Sequence, residues 1–218
     1  RGADISPDGR YAATCGADDT LRLWNLETGE LERTVRDFSA DVYCVRFSPD
    51  SARVLTASLD GRATLWSAAT GEKLREFEGH GERVLSAVFS PGGDRVATAG
   101  TDRFLRVFDT ETGTMLYEVE NPGAYLHYAD ISPDSQWIAT SDDKGVCRLW
   151  RLETGAMEKE FFCDDPAWKI LFSPDGTSLL VTARRGVRLV SLARLFAQPQ
   201  IERDPEPFSL REPVDGVA

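Results

Sequence analysis

Three pairs of adjacent acids (Asp18 with Asp19, Asp142 with Asp143, Asp164 with Asp165), two histidines (His80 and His127) and four cysteines carry this chain's capacity for acid–base, metal or thiol chemistry. A catalytic or metal site needs such groups to converge, and their spacing gives no sign that they do. Cys15, Cys44, Cys147 and Cys163 form no C-x-x-C pair, and no acid pair has the spacing of a calcium loop. The sequence lacks G-x-S-x-G, G-x-x-x-x-G-K, G-x-G-x-x-G and H-E-x-x-H. We therefore expect no enzyme, no catalytic residue, no metal and no cofactor within these residues. The first two acid pairs fall where turn chemistry explains them, and the third falls in a loop.

A repeat orders these residues. Ser-Pro occurs at Ser6, Ser48, Ser90, Ser132 and Ser173, Thr-Gly at Thr28, Thr70, Thr112 and Thr154, and a bulky apolar residue at Trp24, Trp66, Phe108 and Trp150. Successive marks lie 42 residues apart, apart from a step of 41 between the last two Ser-Pro pairs; Thr14, Thr56, Thr98, Thr140 and Thr182 hold the interval throughout. A period of about 40–45 residues with four short strands per unit is the signature of propeller blades.

One repeat shows why. Val42 to Phe47 is rich in β-branched and aromatic residues and stops at Ser48-Pro49-Asp50, where proline removes a ladder donor. Arg53 to Ser58 is a second apolar run, closed by Asp60-Gly61, a pair suited to a hairpin turn. Ala63 to Trp66 follows, then Ala69-Thr70-Gly71, then Lys73 to Phe77, which alternates charged and apolar residues as an outer strand does. The reading is an all-β chain of about five four-stranded antiparallel meanders over residues 1–192, followed by a tail over residues 193–218. The tail starts with a short helical turn, and Pro199, Pro205, Pro207 and Pro213 prevent regular structure beyond it.

The 218 residues carry 25 Lys and Arg against 36 Asp and Glu, a net charge of −11. Such a surface repels phosphate backbones, so direct nucleic-acid binding is not expected, nor is membrane insertion, as no long apolar run exists. Unpaired cysteines point to the cytoplasm or nucleus.

The co-periodic marks resemble the WD-repeat family of β-propellers over roughly residues 1–192. The resemblance implies a hydrogen-bond network in each blade between a strand Ser or Thr, a turn Asp, a third-strand Trp and the His of a Gly-His pair. Thr14, Asp18 and Trp24 match three positions, as do Thr56, Asp60 and Trp66. Thr98, Asp102 and His80 match in a blade whose Trp is replaced by Phe108, and Thr140 with Trp150 match in the fourth. There the Asp position holds Lys144, with Asp143 one residue early, and the fifth turn is Arg184-Arg185-Gly186, so these two blades are expected to be the less rigid. The first residues align with the end of a first strand and the fifth repeat lacks an outer strand. The resemblance thus implies the C-terminal five blades of a larger ring of seven; the alternative is a closed five-bladed ring in which another strand fills the fifth sheet.

A residue set outside the repeat's needs remains. Seven and five residues before each Ser-Pro stand Asp41 and Tyr43, Arg83 and Leu85, Tyr125 and His127, and Pro166 and Trp168. Two-residue spacing would put each pair on one side of its strand. Tyr43, Arg83, Tyr125, His127 and Trp168 are the expected partner-binding rim, since aromatic residues and Arg dominate interface hot spots. The expected function is a non-catalytic scaffold for protein or peptide partners within a multiprotein complex, with no small-molecule substrate. The net charge suggests a basic or aromatic partner segment. Alternatives are a propeller that regulates or recruits substrate for an enzymatic domain upstream, and a chain that self-assembles through its incomplete end blades.

Overall fold

The computed structural model describes residues 1–163 and 166–197. The expected meanders are there. Sheet one is β1 (Gly2–Ile5), β2 (Tyr11–Cys15), β3 (Leu21–Asn25) and β4 (Leu31–Val35); sheet two is β5 (Val42–Phe47), β6 (Arg53–Ser58), β7 (Ala63–Ser67) and β8 (Lys73–Phe77). Sheet three is β9 (Val84–Phe89), β10 (Arg95–Gly100), β11 (Phe104–Asp109) and β12 (Met115–Glu120); sheet four is β13 (Leu126–Ile131), β14 (Trp137–Asp142), β15 (Val146–Arg151) and β16 (Met157–Phe162). Sheet five has three strands, β17 (Ala167–Phe172), β18 (Ser178–Ala183) and β19 (Gly186–Ser191). A helix, α1 (Leu192–Ala197), follows it. Leu192 and Leu195 of this helix are buried in the last core cluster and the Phe196 ring lies 5.1 Å from Trp137, so residues 192–197 are docked on the sheets. Pro199 and the rest of the expected tail, like Asp164 and Asp165, lie outside the described residues.

Every Ser-Pro mark closes its first hairpin in one way. The serine Oγ accepts the amide of the residue five places on, at 2.9 Å for Tyr11, Arg53 and Trp137 and at 3.0 Å for Arg95 and Ser178. The Thr-Gly turns put Gly29, Gly71, Gly113 and Gly155 at φ of 72–73°. A Cβ on Gly155 would sit 2.9 Å from Tyr117 of the preceding sheet, so this glycine is required for close approach as well as for backbone conformation.

The core consists of four clusters, each between neighbouring sheets. Ala13, Leu21 and Leu23 of sheet one meet Val45, Val54 and Trp66 of sheet two; Leu55, Ala57 and Leu65 meet Val84, Val96 and Phe108; Ala97, Leu105 and Val107 meet Ala129, Ile138 and Trp150. Sheets two and three thus offer small and aliphatic residues on one face and the bulky third-strand residue on the other. At the ends of the arc the faces are uncovered. Leu189 and Val187 of sheet five are 57% and 52% exposed, whereas Leu149 and Cys147, their equivalents in sheet four, are fully buried.

The strand threonine meets a tryptophan in sheets one, two and four and a histidine in sheet three. The indole N–H donates to the threonine Oγ1 from Trp24 to Thr14 (2.9 Å), Trp66 to Thr56 (2.9 Å) and Trp150 to Thr140 (2.8 Å). In sheet three, where Phe108 has no N–H, His80 Nε2 lies 2.7 Å from Thr98 Oγ1 and His80 Nδ1 3.0 Å from Asp102. Burial alone would raise the Asp102 pKa; the His80 hydrogen bond and the Arg106 guanidinium outweigh it and bring it below the usual value. Asp18 and Asp60 bind elsewhere: Asp18 accepts from Thr20 and Arg22, and Asp60 from Ser39 and the Arg62 amide. Phe38, at the histidine's place in sheet two, packs its ring 5.2 Å from Trp66.

Two sequence readings shift by a residue. In sheet four the turn acid is Asp142, which is fully buried; it accepts from Arg148 (2.8 Å), Asn121 (3.2 Å) and the amides of Lys144 and Val146. In sheet five the threonine position belongs to Val181, which pairs with Arg188 as Thr140 pairs with Arg148, and Thr182 falls one place late. The 41-residue step to Ser173 causes this offset. Val190 takes the tryptophan position, so sheet five has neither member of the bond.

Trp66→Phe should lower stability by about 2 kcal/mol, because it deletes a buried hydrogen bond and leaves part of a packed site empty. Trp24→Phe, at a half-exposed position, should cost less than half as much. Urea midpoints with unchanged slopes would check this.

Candidate functional site

The innermost strands β5, β9, β13 and β17 share an irregularity. Each inserts one residue opposite its neighbour: Tyr43 between Val42 and Cys44, Leu85 between Val84 and Ser86, His127 between Leu126 and Tyr128, and Trp168 between Ala167 and Lys169. A β-bulge leaves its extra residue unpaired and re-aims that side chain. All four line one central cavity of ≈ 470 Å³, to which β1 and the residue before it add Arg1, Gly2 and Ala3. The cavity therefore draws on all five sheets.

One side chain at each sheet interface ties the inner strands together. Asp4 Oδ2 accepts the Phe47 amide (2.7 Å), Cys44 Sγ reaches the Ala87 carbonyl (3.7 Å), Ser86 Oγ donates to the Ala129 carbonyl (3.3 Å), and Asp130 Oδ2 accepts the Phe172 amide (2.8 Å). These bonds fix the cavity wall to backbone.

The lining is aromatic and basic, with no Asp or Glu. Arg1 is paired with Asp41 at 2.8 Å and lies over the Tyr43 ring. Arg46 donates to the Tyr128 hydroxyl and, at 3.0 Å, to its neighbouring carbonyl of Val45. Lys169 Nζ stands 5.9 Å from the Tyr128 ring centre. Desolvation lowers the His127 pKa against the opposing pull of Asp143 and Asp142, which keeps the imidazole neutral near pH 7.

Tyr43, His127 and Trp168 of the expected rim thus come together in the cavity lining. Tyr125 stands beside them, its ring edge-on to His127 at 6.0 Å and 42% exposed. Arg83 is not part of the lining. It precedes β9, and its carbonyl oxygen would lie 2.3 Å from a Cβ on Gly100, so its backbone packs against the sheet while its side chain stays exposed. Tyr125 and His127 meet ring to ring, and Arg1 reaches both Asp41 and Tyr43, so in these two pairs the residues spaced by two stand together. Arg46, Tyr128 and Lys169 were missed. They carry no periodic mark, and only comparison of non-identical residues at equivalent inner-strand positions would have drawn attention to them.

Among the described residues no group of three or more His, Cys, Asp or Glu is arranged to hold a metal, and no helix is long and apolar enough to cross a membrane. Burial raises the Cys15 thiol to about 11 and the Cys147 thiol well above its usual value, so neither offers a thiolate nucleophile near neutral pH.

The family model described as WD domain, G-beta repeat matches residues 1–25, 29–67, 71–109 and 121–151, more than half of the chain. These segments fall in sheets one to four, where the Thr and the Trp or His bonds are found. No curated protein matches the chain.

Asp130 gives the wall a pH dependence. Burial raises its pKa from 3.8 to about 6, against the Phe172 and Ile131 amides and the Arg46 charge. The folded state then binds this proton more tightly than the unfolded chain. Its stabilising contribution is complete below about pH 4 and is lost as pH rises through about 6. Asp130→Asn should lack that loss and exceed the parent at pH 7.5 by roughly 1–3 kcal/mol, with the difference vanishing toward pH 4. Paired denaturation curves from pH 4 to 8 would show it.

Proposed function

The chain belongs to the WD-repeat family, and on that premise we propose that it is a non-catalytic interaction scaffold whose central cavity mouth receives a segment of a partner protein. The observation that supports this most is the set of four bulges, which turn one side chain per inner strand out of the ladder and into a shared cavity. Packing does not explain two of those residues: Trp168 is 52% exposed and Tyr43 37%, in a chain whose other tryptophans and inner-strand residues are mostly covered, Leu85 among them. Exposed aromatic side chains around a concavity are what a docking site offers, because they supply large contact area at low cost in side-chain entropy.

Rigidity supports the same reading. The contact residues sit on strands tied to their neighbours by backbone-directed bonds, so little ordering remains to be done on binding. The titratable groups that could serve catalysis are otherwise engaged: His80 with Thr98 and Asp102, Asp142 with Arg148 and Asn121. A partner in a larger protein assembly fits this arrangement better than a small substrate.

The test is affinity capture with the parent protein, with Tyr43→Ala and Trp168→Ala together, and with Leu74→Ala on the exposed outer strand β8. The double variant should lose the partner that the parent and Leu74→Ala retain, at an unchanged unfolding midpoint. Equal capture by all three would remove the cavity mouth as the docking site.

A further inference from the structure

The net charge of −11 points to a basic partner segment, but the cavity floor has the opposite character. Two cations bracket one phenol there: Arg46 Cζ lies 5.8 Å and Lys169 Nζ 5.9 Å from the centre of the Tyr128 ring. Arg46 donates to the Tyr128 hydroxyl oxygen, and the hydroxyl's own proton has no acceptor among the described residues. Neither Arg46 nor Lys169 forms an ion pair with a carboxylate among those residues. By contrast Arg106 is paired with Asp102 and Glu118, and Arg148 with Asp142 and Glu160.

Carboxylates on the neighbouring strands are committed elsewhere, Asp4 to the Phe47 amide among them. Asp41 holds Arg1, and Asp130 accepts the Phe172 amide. Asp130 keeps a raised pKa despite the Arg46 charge, the behaviour of a carboxyl that the guanidinium does not pair with. The lining itself has no acid. Arg46 is partly buried beside the 5% exposed Tyr128, so the field of its guanidinium is screened less than on an open surface, and the exposed Lys169 adds charge at the edge.

We infer that Arg46, Tyr128 and Lys169 form an anion-receiving site on the floor of the cavity, and that it takes an acidic side chain of the docked segment. This rests on the docking reading above and specifies its chemistry. Arg46 and Lys169 supply charge, and the Tyr128 hydroxyl supplies a directed donor. Tyr43, Leu85 and Trp168 surround the floor with apolar surface, so the acidic residue is flanked by an aromatic or aliphatic one. A nucleic acid does not meet these terms, because its extended charge would face the acidic remainder of the surface.

The probes are fluorescein-labelled octapeptides of alternating Glu and Phe, with counterparts in which Gln, Lys or phosphoserine replaces Glu, read by anisotropy. The Glu peptide should bind roughly tenfold more tightly than the Gln peptide, and the Lys peptide more weakly still. Lys169→Gln, at an exposed position where folding is not at stake, should remove most of that preference, and adding Arg46→Gln should abolish it. Tighter binding of the phosphoserine peptide would identify phosphate as the anion's source; preference for Glu would identify a carboxylate. Equal binding of the Glu, Gln and Lys peptides, lost on Trp168→Ala, would overturn the anion site and keep the docking reading. Binding of none of the peptides would overturn both.

Discussion

A sheet of four short antiparallel strands has two faces and no means of covering either one. The sequence answers by making the faces unlike: small and aliphatic residues on one, a tryptophan or phenylalanine on the other, so that each sheet is completed by its neighbour. The threonine bond follows from this. A buried indole N–H needs an acceptor, and the strand threonine at the same level of the sheet provides it. Sheet three keeps the threonine satisfied by a different route, through His80, because Phe108 fills the same volume without a donor.

The cavity is the other side of this arrangement. Sheets that radiate from a common centre crowd their inner strands, and the bulges relieve the regular ladder at one equivalent place in four of them. The residue ejected there is free of ladder pairing, and at Tyr43 and Trp168 it is exposed as well. Tyr, Leu, His and Trp occupy equivalent bulges, while the serine that closes each first hairpin never varies. Residues that must hold the fold recur, and residues that face the cavity differ from sheet to sheet.

That division explains what could be read from the sequence. Ser-Pro, Thr-Gly and the bulky third-strand residue mark turns and core positions, and they placed almost every strand. Tyr43, His127 and Trp168 stood out as aromatic residues that the repeat did not require. Asp142 was passed over for Asp143 because counting from Asp102 puts the turn acid at 144, whereas burial and the Arg148 guanidinium select the residue two places earlier. Thr182 kept the numerical interval but lost the structural one, since the shortened step to Ser173 moves β18 by a residue. Arg46, Tyr128 and Lys169 are invisible to a search for sameness. Their meaning lies in charge and proximity across three different sheets, which no spacing rule encodes.

Mutual burial of the sheets is the claim on which the rest stands, and native-state hydrogen exchange resolved strand by strand measures it most directly. The amides of β5, β9 and β13, including that of Phe47 held by Asp4, should share one opening free energy equal to that of global unfolding. Separate opening energies for sheets two, three and four, each well below the global value, would show that the sheets stand independently and contradict the account.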